Sequence, residues 1–186
     1  MDTETPINSS EAQMREQMCQ LWQEAFGDDR EFVLSYFSRY DSPATRIVRC
    51  DAEGRVVAMM HYHRFTSGSV VGAYIYGLAT HPAWRCRGLA RQMLQEAFVR
   101  MADDGVQVAM LIAEEKSLRS WYATMGFSLQ CGTIVKVTGS DGMNFALDDP
   151  AMNVPMIKAI GDFDITSFKV DASIAIECVN RADTRS

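Results

Sequence analysis

Two hydrophobic periods share this chain, one of roughly 3.6 residues and one of roughly 2, and the changes between them fall at turn-forming residues. Met14, Met18, Leu21, Trp22, Ala25 and Phe26 recur at helical spacing after Ser10-Glu11-Ala12-Gln13, which has the form of a capping box, and Gly27 ends the stripe. A second helix is predicted from Asp28, with Glu31 three residues on, along Phe32, Val33, Tyr36, Phe37 and Tyr40 as far as Asp41-Ser42-Pro43. Short β-rich runs follow: Thr45–Cys50, Arg55–Thr66 and Val70–Thr80, parted by Asp51-Ala52-Glu53-Gly54 and Ser67-Gly68-Ser69. They predict an antiparallel meander.

The helical period returns after His81-Pro82, with Leu89, Met93, Leu94, Ala97, Phe98 and Met101 on one face and Asp103-Asp104-Gly105 as the stop. Val106–Ala113 is apolar except at Gln107, as a strand covered on both faces would be. Strand, helix and strand in this order make a right-handed βαβ unit with a parallel pair. Ser117 is placed to cap a short helix bearing Leu118, Trp121, Tyr122 and Met125, with Gly126 behind it, and Phe127–Thr138 reads as one more strand. Beyond Gly139 the expectations are a strand at Met143–Leu147, a short helix from Pro150 to Ile160 broken near Pro155, a last strand at Ser173–Val179 and a frayed end at Arg181–Ser186. The fold class is α/β, and the expected organisation is one domain over residues 1–186, with a core at about 10–140 and a C-terminal extension packed on it.

Composition narrows the partners. The chain has 186 residues, 47% of them hydrophobic and 23% charged, which excludes a disordered or low-complexity chain. Against 24 Asp and Glu stand 18 Lys and Arg, so the net charge of −6 opposes a phosphate backbone or an anionic lipid surface. No nucleic-acid or membrane partner is expected. Five cysteines, at 19, 50, 86, 131 and 178, form no CxxC pair and have no zinc-spaced histidine, so neither a disulfide framework nor a metal is expected. Met1 to Ser10 is acidic and polar where a signal peptide would be basic and then apolar, and a cytoplasmic location is the expectation.

Candidate chemistry concentrates in one stretch, where Tyr74-Ile75-Tyr76-Gly77-Leu78-Ala79-Thr80 leads through His81-Pro82-Ala83-Trp84 into Arg85-Cys86-Arg87-Gly88-Leu89-Ala90-Arg91. A loop that opens a helix presents free N–H groups and the positive end of a dipole, which suits phosphate. Gly88 admits close approach, Ala90 keeps the next turn small, and Arg85, Arg87 and Arg91 add positive charge. The pattern Arg/Gln-x-x-Gly-x-Gly/Ala arises by chance ~0.2 times in a chain of this size, so its setting between two strands carries the weight.

With Tyr122-x-x-x-Gly126-Phe127 downstream of that loop, residues 70–130 resemble the GNAT superfamily of N-acetyltransferases, and Leu21 to Thr66 is more loosely similar to it. The resemblance implies a mixed sheet with a splayed parallel strand pair and acetyl-CoA as acyl donor. It also implies pantetheine pairing with Leu78, Ala79 and Thr80 and a pyrophosphate on the amides from Cys86 to Ala90. The reaction implied is direct attack of a primary amine on the thioester, with Tyr122 as general acid. Packing in the core is the other reading of Tyr122. Glu114 and Glu115 are candidates for the proton acceptor or simply a surface turn, and Cys86 is either a reactive thiol or a residue small enough to fit.

The acceptor is left unidentified, and the acidic net charge favours a cationic one such as a polyamine or aminosugar. The oligomeric state is also open, a homodimer included. A non-catalytic CoA- or nucleotide-sensing module and a structural interaction protein are the rivals. His61, His63 and His81 could form a metal site, but cross-strand surface positions fit them better. Tyr62, Tyr74 and Tyr76 could line an acceptor pocket.

Overall fold

The computed structural model describes residues 9–177 except 114, 146 and 148. The predicted frayed end, Val179 of the last predicted strand, and Glu114 therefore lie outside the described residues. Two helices come first, α1 (Ser9–Phe26) and α2 (Arg30–Tyr40). Three antiparallel strands follow: β1 (Arg46–Cys50), β2 (Val56–Ser67) and β3 (Val70–Thr80). A 3₁₀ turn at Pro82–Trp84 leads into α3 (Leu89–Asp103), then β4 (Val108–Ile112), which runs parallel to β3, and α4 (Lys116–Ala123). The predicted meander and βαβ unit are both present.

The start signals are displaced by a residue or so. Ser10 stands inside the first turn of α1, and Ser117 inside that of α4, where its hydroxyl donates to Glu115. The cap of α2 is Asp29, whose Oδ1 accepts from the Phe32 N–H at 2.8 Å. Asp28 is thereby released and accepts from Trp22 Nε1 instead.

The C-terminal third departs further from expectation. The run 127–138 is two strands, β5 (Ser128–Leu129) and β6 (Lys136–Gly139), separated by a turn with Gly132 at φ +82°. Among the described residues of Met143–Leu147 no strand forms, because the turn at Asp141-Gly142 leaves a single bridge, Thr138 to Asn144. In place of a helix from Pro150 to Ile160 there is a 3₁₀ turn at Pro150–Met152 and then β7 (Pro155–Ala159), inserted antiparallel between β4 and β5. Met156 and Ile157 are buried on opposite faces, so this strand has no alternation to read. β8 (Ser173–Ile176) pairs parallel with β6 in a separate two-stranded sheet.

The main sheet has the order β1-β2-β3-β4-β7-β5. On one face Trp22, Tyr36, Phe37 and Tyr40 of α1 and α2 are buried with Val137, Ile174 and Ile176 of the small sheet. On the other, α3 buries Met93, Leu94, Ala97 and Met101 against Ala58, Ile75 and Ala109. Full burial of one such Met or Leu stabilises by about 1.5–3 kcal/mol.

Candidate active site

β3 and β4 pair only at Gly72, Ala73 and Tyr74, facing Val108, Ala109 and Met110. β4 pairs with β7 along its other edge from Val108 to Ile112, while past Tyr74 the segment Ile75–Thr80 continues alongside β2 alone. The parallel pair thus splays, leaving a gap at the carboxyl ends of the strands, where open α/β sheets take their ligands. A register shift in the β2–β3 ladder between Met59 and His61, with Gly77 at φ +63°, places a bulge beside this gap. The His81 N–H donates to the Val57 carbonyl at 2.9 Å, which fixes the alternation along the end of β3. Ala79 accordingly turns its main-chain groups toward β2, whereas those of Leu78 and Thr80 face the gap. The Thr80 carbonyl is engaged by Arg85 Nε at 3.1 Å. Of the three residues expected to offer main-chain groups, Leu78 and the Thr80 N–H are open among the described residues.

The loop beyond β3 is built around left-handed backbone at Cys86 (φ +59°) and Gly88 (φ +79°), which aims successive N–H groups to one side. Among the described residues no acceptor is found for the N–H groups of Cys86, Arg87, Gly88, Leu89, Ala90 and Arg91, and α3 starts without a side-chain cap. Added Cβ bulk at Gly88 would meet nothing closer than Gln92 Nε2 at 3.9 Å, so the concave side of the loop is open. Arg87 lies over the Trp84 ring, 4.5 Å from its centroid, and donates to the Ala83 carbonyl. Arg91 donates to Thr124 Oγ1 at 3.3 Å, tying the start of α3 to the end of α4. Leu89 is half-buried against the α3-side core and anchors the loop. Cys86 is exposed, and Cys19, Cys50, Cys86 and Cys131 are free thiols.

Tyr122 stands on α4, half-buried, with its ring edge-on to Trp121 and Phe127. Burial pushes its phenol up to about 12, so it is protonated at neutral pH. Its charge would add to the effect of burial in holding the proton of Tyr74 on β3. Glu115 is exposed at the start of α4, its Oε2 accepting from Ser117.

The expected surface histidines are not at the surface. His61 and His63 are both buried, because β2 is covered on this face by α1, α2 and the small sheet. His63 Nε2 lies 2.7 Å from Tyr36 Oη, and burial holds its pKa down at about 3. His61 Nε2 meets Asp41 at 3.2 Å, Asp41 pairs with Arg46 at 2.8 Å, and among the described residues His61 Nδ1 has no partner. His81 is half-buried elsewhere, its ring accepting from the Ala83 N–H. Among the described residues no group of three His, Cys, Asp or Glu side chains is arranged to hold a metal.

The tyrosine set also divides. Tyr74 and Tyr76 stack with centroids 5.7 Å apart on the α1–α2 face, while Tyr62 is buried on the opposite one, its hydroxyl donating to the Ala44 carbonyl. What joins Tyr74 and Tyr76 is an assembly absent from the sequence expectations: Trp22 and Asp28, brought over β3 by the α1–α2 turn. The isolated Gly77 inside a strand-like run is the sequence signal for a close approach there.

A family model described as an acetyltransferase (GNAT) domain matches residues 6–130, about two thirds of the chain. No curated protein sequence matches. Solved structures do resemble it in fold. One is the GNAT family N-acetyltransferase YhbS from Escherichia coli in complex with CoA, at 14% identity, TM-score 0.63, with 93% of this chain and 86% of that one covered. Another is the ribosomal-protein-S18-alanine N-acetyltransferase from Escherichia coli, at 16% identity and TM-score 0.57, covering 91% of this chain and 100% of that one. A third is an aminoglycoside 6'-N-acetyltransferase complexed with coenzyme A, at 11% identity and TM-score 0.56, covering 86% and 98%. Family match, sheet order and splayed strand pair agree, and this chain belongs to the GNAT family of acetyltransferases.

Proposed function

We propose that this protein moves the acetyl group of acetyl-CoA to a primary amine by direct attack. The observation that carries this reading is the junction of two unsatisfied surfaces: the open main chain of β3 beyond Tyr74, and the run of unpartnered N–H groups from Cys86 to Arg91. A pantetheine arm is an extended chain with amides, and it fits the first as an added strand would. A diphosphate fits the second, with Gly88 leaving room and Arg85, Arg87 and Arg91 surrounding it. Two of the structural neighbours hold CoA, which supports the same assignment.

Acetyl-CoA would supply an activated thioester carbonyl. The Leu78 N–H, at the bulge, would donate to the oxygen that gains negative charge. Tyr122, held protonated by burial, would give its proton to the departing sulfur. Titration with acetyl-CoA should raise the melting temperature, and a thiol-release assay over a panel of amines should find an acceptor. Stabilisation without thiol release from any amine would leave only a CoA-sensing module, and no stabilisation at saturating acetyl-CoA would dismiss both.

A further inference from the structure

α3 and the amide-lined loop lie on one face of the main sheet, and the α1–α2 turn folds over the unpaired half of β3 on the other. Trp22 stands edge-on to Tyr76, with centroids 5.3 Å apart, and donates its Nε1 proton to Asp28 Oδ2 at 2.8 Å. Gly77 permits this close seating, because a Cβ there would come within 2.4 Å of the indole. Tyr76 and Asp28 are both half-buried, so both remain reachable from solvent. Asp28 and Tyr76 touch the same indole, and the carboxylate's charge adds to the effect of burial in holding the Tyr76 phenolic proton. Among the described residues Asp28 Oδ1 has no hydrogen-bond partner.

A carboxylate with one oxygen open beside aromatic rings is a seat for an organic cation, since the carboxylate supplies charge and the ring faces supply their quadrupoles. The surroundings agree in sign. Glu24, one turn earlier on α1, reaches His81 just past the end of β3 at 4.0 Å, while Arg85 and Arg87 belong to the loop that serves the diphosphate. One approach to the gap is basic and the other acidic.

Resting on the acyl-transfer reading above, we infer that the acceptor carries two amines, one that attacks and a second, protonated one held by Asp28 beside Tyr76. The two nitrogens must be different. An attacking nitrogen needs its lone pair, and a carboxylate against it would favour the protonated form. In the reaction the neutral amine forms a C–N bond to the acetyl carbon and the C–S bond breaks. The Tyr122 proton goes to sulfur, and the proton shed by the new amide returns through solvent, while the second ammonium is unchanged. Short diamines and amino sugars have this chemistry, and simple monoamines lack it.

The test compares thiol release from acetyl-CoA with 1,4-diaminobutane and with butylamine, which differ by one ammonium. In the wild type kcat/KM for the diamine should exceed that for butylamine by at least about tenfold, chiefly through KM, with the ratio shrinking as salt rises. Asp28→Asn keeps an oxygen for the Trp22 indole, so it should fold and show the wild-type thermal shift with acetyl-CoA, yet lose the preference. Tyr76→Phe should retain the preference and Tyr76→Leu weaken it. A wild type without preference, or a preference untouched by Asp28→Asn, overturns the inference and leaves acyl transfer standing. No thiol release with either amine also overturns it, and the acyl-transfer reading falls as well only if peptide amines and other amines are inert too.

Discussion

Gly88 separates the needs of the fold from those of the ligand. Its φ of +79° lies in the left-handed region, where a residue with a Cβ costs about 1–2 kcal/mol. Among the described residues the nearest atom to an added Cβ, its chain neighbours aside, is Gln92 Nε2 at 3.9 Å. Gly88→Ala should therefore lower the melting temperature by about 2–8 °C, the backbone strain alone at about 2–4 °C per kcal/mol for a chain of this size. Gly54, in the turn between β1 and β2, is the control, with φ +78° and no atom within 4 Å of its added Cβ. Gly54→Ala should cost the same.

A third variant, Gly88→Glu, parts from Gly54→Ala when acetyl-CoA is added. At a concentration near 100 times Kd the ligand stabilises a competent protein by about 2.7 kcal/mol, or about 5–10 °C, in the wild type and in Gly54→Ala. In Gly88→Glu a carboxylate stands where the diphosphate must rest. Unit like charges at ~4 Å repel by ~4 kcal/mol at an effective dielectric near 20, so even with most of that screened by salt the affinity should fall at least about tenfold. Thermal melts with and without acetyl-CoA, backed by calorimetric titration, measure this directly. If Gly88→Glu binds acetyl-CoA as tightly as Gly54→Ala, the loop is not a diphosphate seat and the reasoning fails.

Other outcomes follow from the same geometry. Tyr122→Phe keeps the ring packed against Trp121 and Phe127, so acetyl-CoA affinity should stay within about twofold while kcat falls about 10²-fold or more; a kcat within threefold of wild type removes Tyr122 as the acid. Gly77→Ala combines φ +63° with a 2.4 Å encounter with Trp22, and denaturant unfolding should show a loss of about 2–4 kcal/mol, with Gly54→Ala again the smaller reference. His63 is held neutral in the fold, with its pKa near 3 against roughly 6.5 unfolded, so the unfolded chain takes up the proton first. Its contribution is intact above about pH 6.5 and is lost at about 1.4 kcal/mol per pH unit as pH falls toward 3. Melts at pH 7.5 and pH 5 should differ by about 2 kcal/mol from this residue, and a flat profile that His63→Phe leaves unchanged would contradict its neutral burial.

The parts of the fold legible in the sequence are those with one exposed face. Met93, Leu94, Ala97 and Met101 repeat at helical spacing because α3 has a wet side, and Val70–Thr80 has turn residues at both ends. β7 was hidden because Met156 and Ile157 are both buried, so its apolar run has no period and Pro155 reads as a helix break. The burial of His61 and His63 was hidden for another reason. Their cover comes from Tyr36 on α2 and from Ile174 and Ile176 on β8, residues distant in sequence whose placement no local pattern records. The candidate site shows the same division: Gly88 and its arginines form a contiguous motif, whereas Asp28 and Tyr76 come to one indole only through the fold.

The central claim is that the open end of β3 and the N–H groups from Cys86 to Arg91 together receive acetyl-CoA. A ¹H–¹⁵N spectrum of the labelled protein, titrated with a non-hydrolysable acetyl-CoA analogue, reads those N–H groups one by one. The largest shifts should fall at Leu78, Thr80 and Arg87 to Arg91, saturating together. Saturable shifts confined to other parts of the sheet, with these amides unmoved, would contradict the account.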